Sequence, residues 1–237
     1  MTLTYTYDKN GNRVERLDPV SRVGYGADKL NRLTFGTTPP GAGPFPANLL
    51  AAYPADGTAN DPINNQHGTL QGGTTFTSGL VSQAFAFDGL DDFVTVPDSP
   101  LLDTLTTAAT VEAWIKPELL PPPHATYDLF ARRTEGGPTG FVVLLTDGGR
   151  VGFTVETTGS GLSLFFTAPL QLQFGQWQHV AVTVEPGTNL KKAYVNGQEV
   201  PVTAFSGSAT LSGTLLPANN LYIGRRGVYP VGDNQHY

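Results

Sequence analysis

The sequence predicts an all-β protein built as a two-sheet antiparallel sandwich, and three observations support this fold class. The 237 residues include 28 Gly and 19 Pro but only 14% charged residues, which suits short strands and tight turns better than long helices. Bulky residues alternate with small or polar ones in many short segments. Turn signals such as Asn196-Gly197 separate these segments. We therefore expect hairpin-connected strands and no long helix.

The first 35 residues contain a near-repeat in which Tyr5 and Asp8 recur as Tyr25 and Asp28. A β-turn after each aspartate predicts one small hairpin per unit. Residues 1–35 resemble the tyrosine-aspartate (YD) repeats of Rhs-type proteins, which wind into a large β-shell; the alternative is a polar arm with chance similarity. Residues 36–48 carry Pro or Gly at nearly every other position. They predict a linker to a second domain, residues 49–237.

A hairpin over residues 83–96 is the organising element predicted for the second domain. Phe85 and Phe87 are expected on one face, which packs on the same core as Val94 and Val96. The connection holds three carboxylates, those of Asp88, Asp91 and Asp92. Because carboxylates this close repel one another, we expect the turn to be either well solvated or neutralised by a cation.

The other strands of the second domain are predicted from the same alternation and from the turns between them. Val111, Ala113 and Ile115 should share one face, opposite Glu112 and Trp114. The remaining predicted strands are residues 49–53, 68–76, 110–116, 127–132, 140–145, 150–156, 162–167, 177–184, 190–195, 198–202 and 221–224.

The composition and charge of the chain argue against some classes of binding partner. The formal charge of −6 and the absence of a long apolar run argue against nucleic acid binding and membrane insertion. With no Cys, neither disulfides nor thiolate metal sites are available. No signal peptide is recognisable at the N-terminus, so we expect the signal of an exported protein to lie elsewhere or to belong to a longer parent chain.

Several motifs from residue 49 onward occur in the order typical of bacterial laminin-G-like jelly-roll domains, relatives of the concanavalin A-like lectins and pentraxins. The motifs are residues 55–61, 65–73, 83–98, 111–117, 176–181, 194–197 and 222–224. This resemblance implies a jelly roll of two curved sheets in an extracellular or cell-surface protein that binds a glycan or a surface protein, often with a structural Ca²⁺. Family members usually continue past residues 222–224 into a further strand. We expect that strand to be missing here, as in part of a larger chain.

Oxygen-rich turns supply the candidate calcium ligands, because Ca²⁺ takes six to eight oxygen ligands. The candidates are Asp56, Asn60, Asp61 and Asp88. The alternative is that the first three cap turns and that Asp88 bonds the backbone of its own hairpin.

Sugar binding usually combines an aromatic plate with polar groups, and the candidate ligand-binding residues are Trp114, Trp177 and His179. They lie opposite the predicted core faces, although such aromatics often pack under a loop instead. No catalytic residue is predicted, because only Glu112 and Glu118 lie near Trp114, and the third carboxylate of a lectin-like hydrolase motif is absent. We therefore expect a non-catalytic carbohydrate- or protein-binding module; the alternatives are a structural spacer and a glycoside hydrolase.

Overall fold

The computed structural model describes residues 49–121, 123, 125–134, 139–169, 171–218 and 220–227, together with the strands within residues 4–35. For those N-terminal strands and for residues 226–227 the description extends to the backbone alone. The predicted linker at 36–48 and residues 228–237, which bear on the expected loss of a final strand, lie outside the described residues. Two compact units are present, residues 1–66 with 76–85, and residues 67–75 with 86–237.

The N-terminal strands form a four-stranded antiparallel sheet in the order β1-β2-β3-β4. Its strands are β1 (Thr4–Tyr7), β2 (Arg13–Leu17), β3 (Arg22–Ala27) and β4 (Leu33–Phe35). The pairs β1–β2 and β3–β4 are the two hairpins that the near-repeat predicts.

The described chain after residue 66 contains an eight-stranded and a four-stranded antiparallel sheet, in agreement with the all-β prediction. The strands are β5 (Thr69–Gln71), β6 (Thr75–Ser78), β7 (Gln83–Ala86), β8 (Phe93–Val96), β9 (Ala109–Ile115), β10 (Thr126–Arg133), β11 (Thr139–Thr146), β12 (Val151–Thr157), β13 (Gly161–Thr167), β14 (Gln178–Glu185), β15 (Leu190–Val195), β16 (Gln198–Val200), β17 (Val202–Ser206) and β18 (Leu221–Gly227). Two 3₁₀ turns are present, η1 (Leu102–Thr104) and η2 (Pro186–Thr188).

The larger sheet has the order β17-β13-β12-β11-β10-β18-β8-β5, and the smaller has the order β16-β15-β14-β9. Their facing sides form one core, in which Phe153 and Phe165 of the larger sheet meet Val180, Val182 and Val184 of the smaller. The alternation predicted for β9 is confirmed, because Val111 and Ile115 pack against this core. A sandwich of two antiparallel sheets is the result.

The opposite face of the larger sheet, called here the outer face, is also apolar. Ala131, Val142, Leu144, Leu164 and Phe166 form a second buried cluster there. Consequently β11, β12 and β13 are buried on both faces over most of their length. Their near-continuous apolar sequences reflect this environment more than simple alternation does.

The predicted hairpin over residues 83–96 is wrong. Strand β7 pairs with β6 in a separate two-stranded sheet, whereas β8 pairs with β5 and β18. The short connection from Gly79 to Ser82 closes the β6–β7 turn with a backbone hydrogen bond of 3.0 Å. Val94 and Val96 are fully buried as predicted, but Phe85 packs on Phe76 instead.

Three other predicted strands differ from the structure. Residues 49–53 form no strand, and the strand at 68–76 is divided at Gly72, whose φ of 68° favours glycine. The strand at 198–202 is divided at Pro201, beyond which β17 joins the larger sheet. Proline lacks the N–H that a continuous ladder requires, so the chain changes sheets at this residue.

Candidate functional site

Trp114 and His179 are cross-strand partners on the side of the smaller sheet that faces away from the core. Their rings meet edge-on with centroids 5.4 Å apart. Trp114 is partly exposed, whereas His179 is only 1% exposed. Glu112 lies on the same strand face, with its Oε2 3.8 Å from Nε2 of His179. The structure thus brings together two of the three predicted ligand-binding residues, and the carboxylate of Glu112 lies beside them.

The main chain of His179 is held by the hairpin turn that Asn196-Gly197 predicted. The amide of His179 donates to Oδ1 of Asn196 at 2.9 Å, and the amide of Asn196 donates to the carbonyl of His179 at 2.8 Å. Asn196 and Gly197 have φ of 49° and 77°, values that suit a tight hairpin turn. Trp177 is partly buried directly before β14. The turn therefore fixes the position of His179 beneath Trp114.

Asp61 is the centre of the loop that precedes β5. Its Oδ1 accepts from the amides of Ala52 at 3.0 Å and Ile63 at 2.9 Å. Its Oδ2 accepts from the amides of Asn64 at 3.1 Å and Gln66 at 3.0 Å. Burial raises the pKa of Asp61, but the four backbone donors outweigh burial and lower the pKa below its ordinary value.

The other candidates in this loop lie at its surface. Asp56 is exposed, and its Oδ1 accepts from the amide of Gln83 at 3.1 Å. Asn60 is exposed, and its amide donates to the hydroxyl of Thr58 at 3.4 Å. The carboxylate of Asp56 thus bonds a residue 27 positions along the chain, and the bond of Asn60 is made by its backbone amide. With four N–H donors on its two oxygens, the carboxylate of Asp61 fits a cation poorly.

The acidic turn between β7 and β8 is held by its own carboxylates. Asp88 Oδ1 accepts from the amides of Leu90 at 2.8 Å and Asp91 at 3.3 Å. The carboxylate of Asp92 is buried and accepts from the amides of Gly73 and Asp88. The hydrogen bond from Leu90 lowers the pKa of Asp88. This carboxylate is therefore ionised at neutral pH and bonds its own turn.

Asp88, Asp91 and Asp92 place one oxygen each within 4.8 Å of one another. Within the described part of the chain, no other set of three His, Asp or Glu side chains converges in this way, and Asp56 and Asp61 are outside the set. The turn lines an open depression of about 580 Å³ together with Gly72 and Thr75. Convergent carboxylate oxygens fit Ca²⁺ chemically. Of the four predicted metal ligands, Asp88 alone lies in such a group.

The two glutamates considered for hydrolysis lie in different surroundings. Glu112 is near His179, as described above, whereas Glu118 is exposed and pairs with Lys116 at 2.7 Å. A glycosidase needs two carboxylates that face one cleft. The structure gives these residues no shared partner among the contacts described.

A charged cluster on the outer face of the larger sheet was not predicted from the sequence. Asp128 is 2% exposed, and its Oδ2 lies 3.4 Å from Nη2 of Arg133 without a hydrogen bond. Arg225 is its cross-strand partner on β18, and its guanidinium lies 4.5 Å from the ring centroid of Tyr222. Arg225 is partly exposed and lies over this ring, whose face attracts its positive charge. The one signal for this burial in the sequence is that Asp128 lies among apolar residues, between Tyr127 and Ala131.

Burial raises the pKa of Asp128 to about 6, and it outweighs the opposing effects of Arg133, the Thr126 hydrogen bond and Arg225. A folded-state pKa above the unfolded value gives stability that is present below the unfolded pKa and lost as pH rises through the folded pKa. We expect about 2 kcal/mol of stability to be lost between pH 4 and pH 7 through this group. Urea unfolding of the wild type and Asp128→Asn across this range measures the loss.

Asp128→Asn should remove this part of the pH dependence, because the amide does not titrate. Glu118→Gln, which changes an exposed carboxylate, should leave it unchanged. A stability difference between wild type and Asp128→Asn that stays constant with pH would contradict the prediction.

Comparison with known proteins agrees with this architecture. The family model Laminin_G_3, described as "Concanavalin A-like lectin/glucanases superfamily", matches residues 87–236. Comparison with curated proteins finds no match to this sequence. Within the described residues, no helix is long and apolar enough to cross a membrane.

Solved structures of similar fold are distant in sequence. The receptor-binding domain of botulinum neurotoxin mosaic serotype C/D is 14% identical, with a TM-score of 0.49 over 70% of this chain and 43% of that chain. Mouse laminin alpha1 domains LG4-5 are 17% identical, with a TM-score of 0.39 over 61% and 36%. Carbohydrate-binding module CBM66 from Bacillus subtilis is 14% identical, with a TM-score of 0.36 over 67% and 88%.

This chain spans less than half of the two botulinum neurotoxin domains it matches, 43% and 44% of their lengths. At such identities and TM-scores, the assignment rests on the sequence match, which covers more than half of the chain and agrees with the two-sheet fold. The chain belongs to the concanavalin A-like lectin/glucanases superfamily.

Proposed function

We propose that the second domain is a non-catalytic module that binds a carbohydrate or a protein, within an exported bacterial protein of the Rhs type. The observation that carries this proposal is the pair Trp114 and Glu112, partly exposed on the side of the smaller sheet that faces away from the core. An aromatic ring beside a carboxylate suits a sugar, because the ring contacts the pyranose face and the carboxylate accepts from hydroxyl groups.

Membership of a superfamily that includes lectins supports the binding role. The Rhs context is supported by the two N-terminal hairpins and by the recurrence of Tyr5 and Asp8 as Tyr25 and Asp28. A cell-surface or extracellular location and a longer parent chain belong to the same proposal.

A purely structural role is the second candidate, and the burial of His179 favours it. The contact of the buried His179 ring with Trp114 is expected from side-chain packing alone, whether or not a ligand binds to this face. Under this reading the domain spaces or supports other parts of the parent protein.

A structural Ca²⁺ is part of the proposal, and the acidic turn between β7 and β8 supports it. Asp88, Asp91 and Asp92 would hold the ion, because their oxygens converge at the edge of an open depression. The ion would supply positive charge that offsets the mutual repulsion of three neighbouring carboxylates.

Glycan-array binding by the full chain tests the proposal, in calcium and again in chelator, with folding followed by circular dichroism. We expect saturable binding that Trp114→Ala weakens about tenfold or more, because stacking on the ring is lost. Phe205→Ala is the matched control, since Phe205 is a half-exposed aromatic on another sheet.

The alternatives give different results in the same experiment. No binding by a folded chain in either condition favours the structural role. Release of reducing sugar, lost in Glu112→Gln, would establish a hydrolase. Melting that chelator lowers in the wild type but not in Asp91→Asn would support calcium at the acidic turn.

A further inference from the structure

Strand β9 is an edge of the smaller sheet, and it is the longest of the four edge strands in the two sheets of the sandwich. It pairs with β14 over seven consecutive residues without a register shift. The other edges are short or irregular, since β5 and β16 have three residues each and β17 pairs with β13 across a register shift. β9 also lacks proline and lysine, which commonly protect an edge strand. It therefore keeps the features of an edge that can pair with another strand.

The direction of the backbone groups of β9 follows from the neighbouring hairpin. The amide and the carbonyl of His179 both bond Asn196, so they point toward β15. Successive residues of a strand direct their backbone groups to opposite sides, so those of Val180 point toward β9. Val180 is the partner of Ala113. The amide and the carbonyl of Ala113 therefore face β14.

By the same alternation, the amides and carbonyls of Thr110 and Trp114 face the outer side of β9. The hydroxyls of Thr110 and Thr183 approach to 3.1 Å, as expected for an opposed pair that exchanges no backbone hydrogen bonds, because side chains lie closer in such pairs. Among the described strands, β9 pairs with β14 alone. Thr110 and Trp114 thus present four backbone groups to the open edge.

The core-facing side of β9 is less covered than the neighbouring strand. Val111 and Ile115 pack on the core but are only partly buried. On β14, Val180, Val182 and Val184 are at most 2% exposed. Side chains of adjacent strands lie about 5 Å apart, so a further strand beside β9 would cover the two exposed positions with its own apolar residues.

The edge also indicates the chemistry of its partner. Backbone donors and acceptors at every second residue match an extended polypeptide, as in β-strand addition. The side chain of Glu112 is 28% exposed and lies between Thr110 and Trp114 on the side away from the core. A basic residue opposite Glu112 would complement its charge. A second copy of the chain fits less well, because its register of greatest overlap places Glu112 opposite Glu112.

We infer that the open edge of β9 binds an extended segment of another polypeptide as an added strand. The segment has apolar residues at alternate positions toward the core and a lysine or arginine opposite Glu112. This inference names the partner of the proposed binding module, so it rests on the proposed function in its protein-binding form.

The first test selects nonapeptides displayed on phage against the full chain. One library alternates apolar and random polar residues, and a second has the same composition in shuffled order. We expect enrichment from the alternating library alone, with Lys or Arg at one polar position. A synthetic enriched peptide should bind Thr110→Pro at least about tenfold more weakly than the wild type, because the ring removes an outward N–H and blocks the edge.

Thr110→Val is the matched control, since it also loses the hydroxyl contact to Thr183 but keeps the outward N–H. Proline is tolerated where an edge N–H faces outward, and circular dichroism checks that Thr110→Pro is folded. Glu112→Lys is a second variant that does not depend on proline. Selection against it should enrich Asp or Glu in place of the basic residue.

Hydrogen exchange measures the same edge directly. In the free chain, the amides of Thr110 and Trp114 should exchange at least about tenfold faster than those of Val111 and Ala113. The enriched peptide should slow the first pair and leave the second unchanged. Slow exchange of all four amides in the free chain would show that the edge is already paired, and would overturn the inference.

The remaining outcomes separate this inference from the proposed function. Glycan binding that Trp114→Ala weakens, without peptide enrichment, keeps the proposed function and overturns this inference. Peptide binding that Thr110→Pro leaves unchanged also overturns it. Self-association that Thr110→Pro abolishes would give the edge to a second copy and overturn the choice of partner. A folded chain that binds neither peptide nor glycan rejects both proposals.

Discussion

Asp61→Asn is expected to cost at least about 3 kcal/mol of stability, the largest effect of any single change considered for this chain. The buried carboxylate of Asp61 accepts four backbone hydrogen bonds at 2.9–3.1 Å. Hydrogen bonds to a charged group contribute about 1.5–3 kcal/mol each, and buried donors left unpaired add a penalty. Asparagine keeps one acceptor oxygen and directs its own N–H groups at the remaining donors. Urea unfolding at pH 7 measures the loss.

Asp56→Asn is the matched control, because Asp56 is exposed in the same loop and accepts one backbone hydrogen bond. We expect it to cost less than about 1 kcal/mol. Both unfolding series are repeated in chelator. If Asp61 bound calcium, Asp61→Asn would be as stable as the wild type in chelator. If Asp61 closes the loop through its backbone hydrogen bonds, the loss of stability persists in chelator.

The effect of Asp61 should also depend on pH with a definite sign. Its folded pKa is lowered by the four amides, so its contribution is present above the ordinary carboxyl pKa and is lost as pH falls through the folded pKa. Stability of the wild type and of Asp61→Asn should therefore converge in acid. Parallel curves down to pH 2 would show that the charge of Asp61 contributes nothing.

Arg132→Ala is expected to destabilise the sandwich by about 3 kcal/mol. Arg132 is 3% exposed, and its guanidinium donates to the carbonyl of Leu102 and to Oδ1 of Asp103, both at 2.6 Å. A third contact reaches Oδ1 of Asp98 at 3.2 Å. These bonds fasten the η1 segment to β10. Both aspartates are partly exposed, so the cost comes mainly from the unpaired carbonyl of Leu102 and from the cavity. We therefore place it at the lower end of the range of about 3–5 kcal/mol that applies to fully buried pairs.

Arg132→Lys should recover part of the loss, because one ammonium group can reach one or two of the three acceptors but lacks the planar fork. Arg150→Ala is the control, since Arg150 makes one long hydrogen bond of 3.4 Å to the carbonyl of Thr167. Denaturant midpoints of the three variants are compared at constant m-value. Similar midpoints for Arg132→Ala and Arg150→Ala would show that the η1 contacts contribute little.

The fold class was predictable because alternation and turn chemistry are local. Asn196-Gly197 specifies its hairpin through backbone conformation alone, and the valines at 180, 182 and 184 reach the core as their spacing predicts. Strand pairing was less predictable. The runs around Asp88 look like one hairpin, but β7 and β8 join different sheets, because pairing depends on which distant strands compete for each edge.

The candidate site shows the same division. The proximity of Trp114 and His179 followed from two alternating strands, although their cross-strand register did not. Asp61 and Asp88 were recognisable as turn carboxylates, but the number of amides around each depends on the path of the loop. Asp128 and Arg133 were missed because a bulge between Asp128 and Phe130 changes which side chains share a face.

The apolar character of both faces of the larger sheet has a consequence for sequence variation. In a saturation-mutagenesis library selected for folding, β8 should tolerate polar residues at alternate positions, since Phe93 and Thr95 are only partly buried. In β11, six consecutive residues are buried, so tolerance of polar residues should not alternate from one position to the next. A search for surface positions at which to attach labels or alter solubility should therefore avoid the central strands of this sheet and begin at β17, where Thr203, Phe205 and Ser206 are exposed.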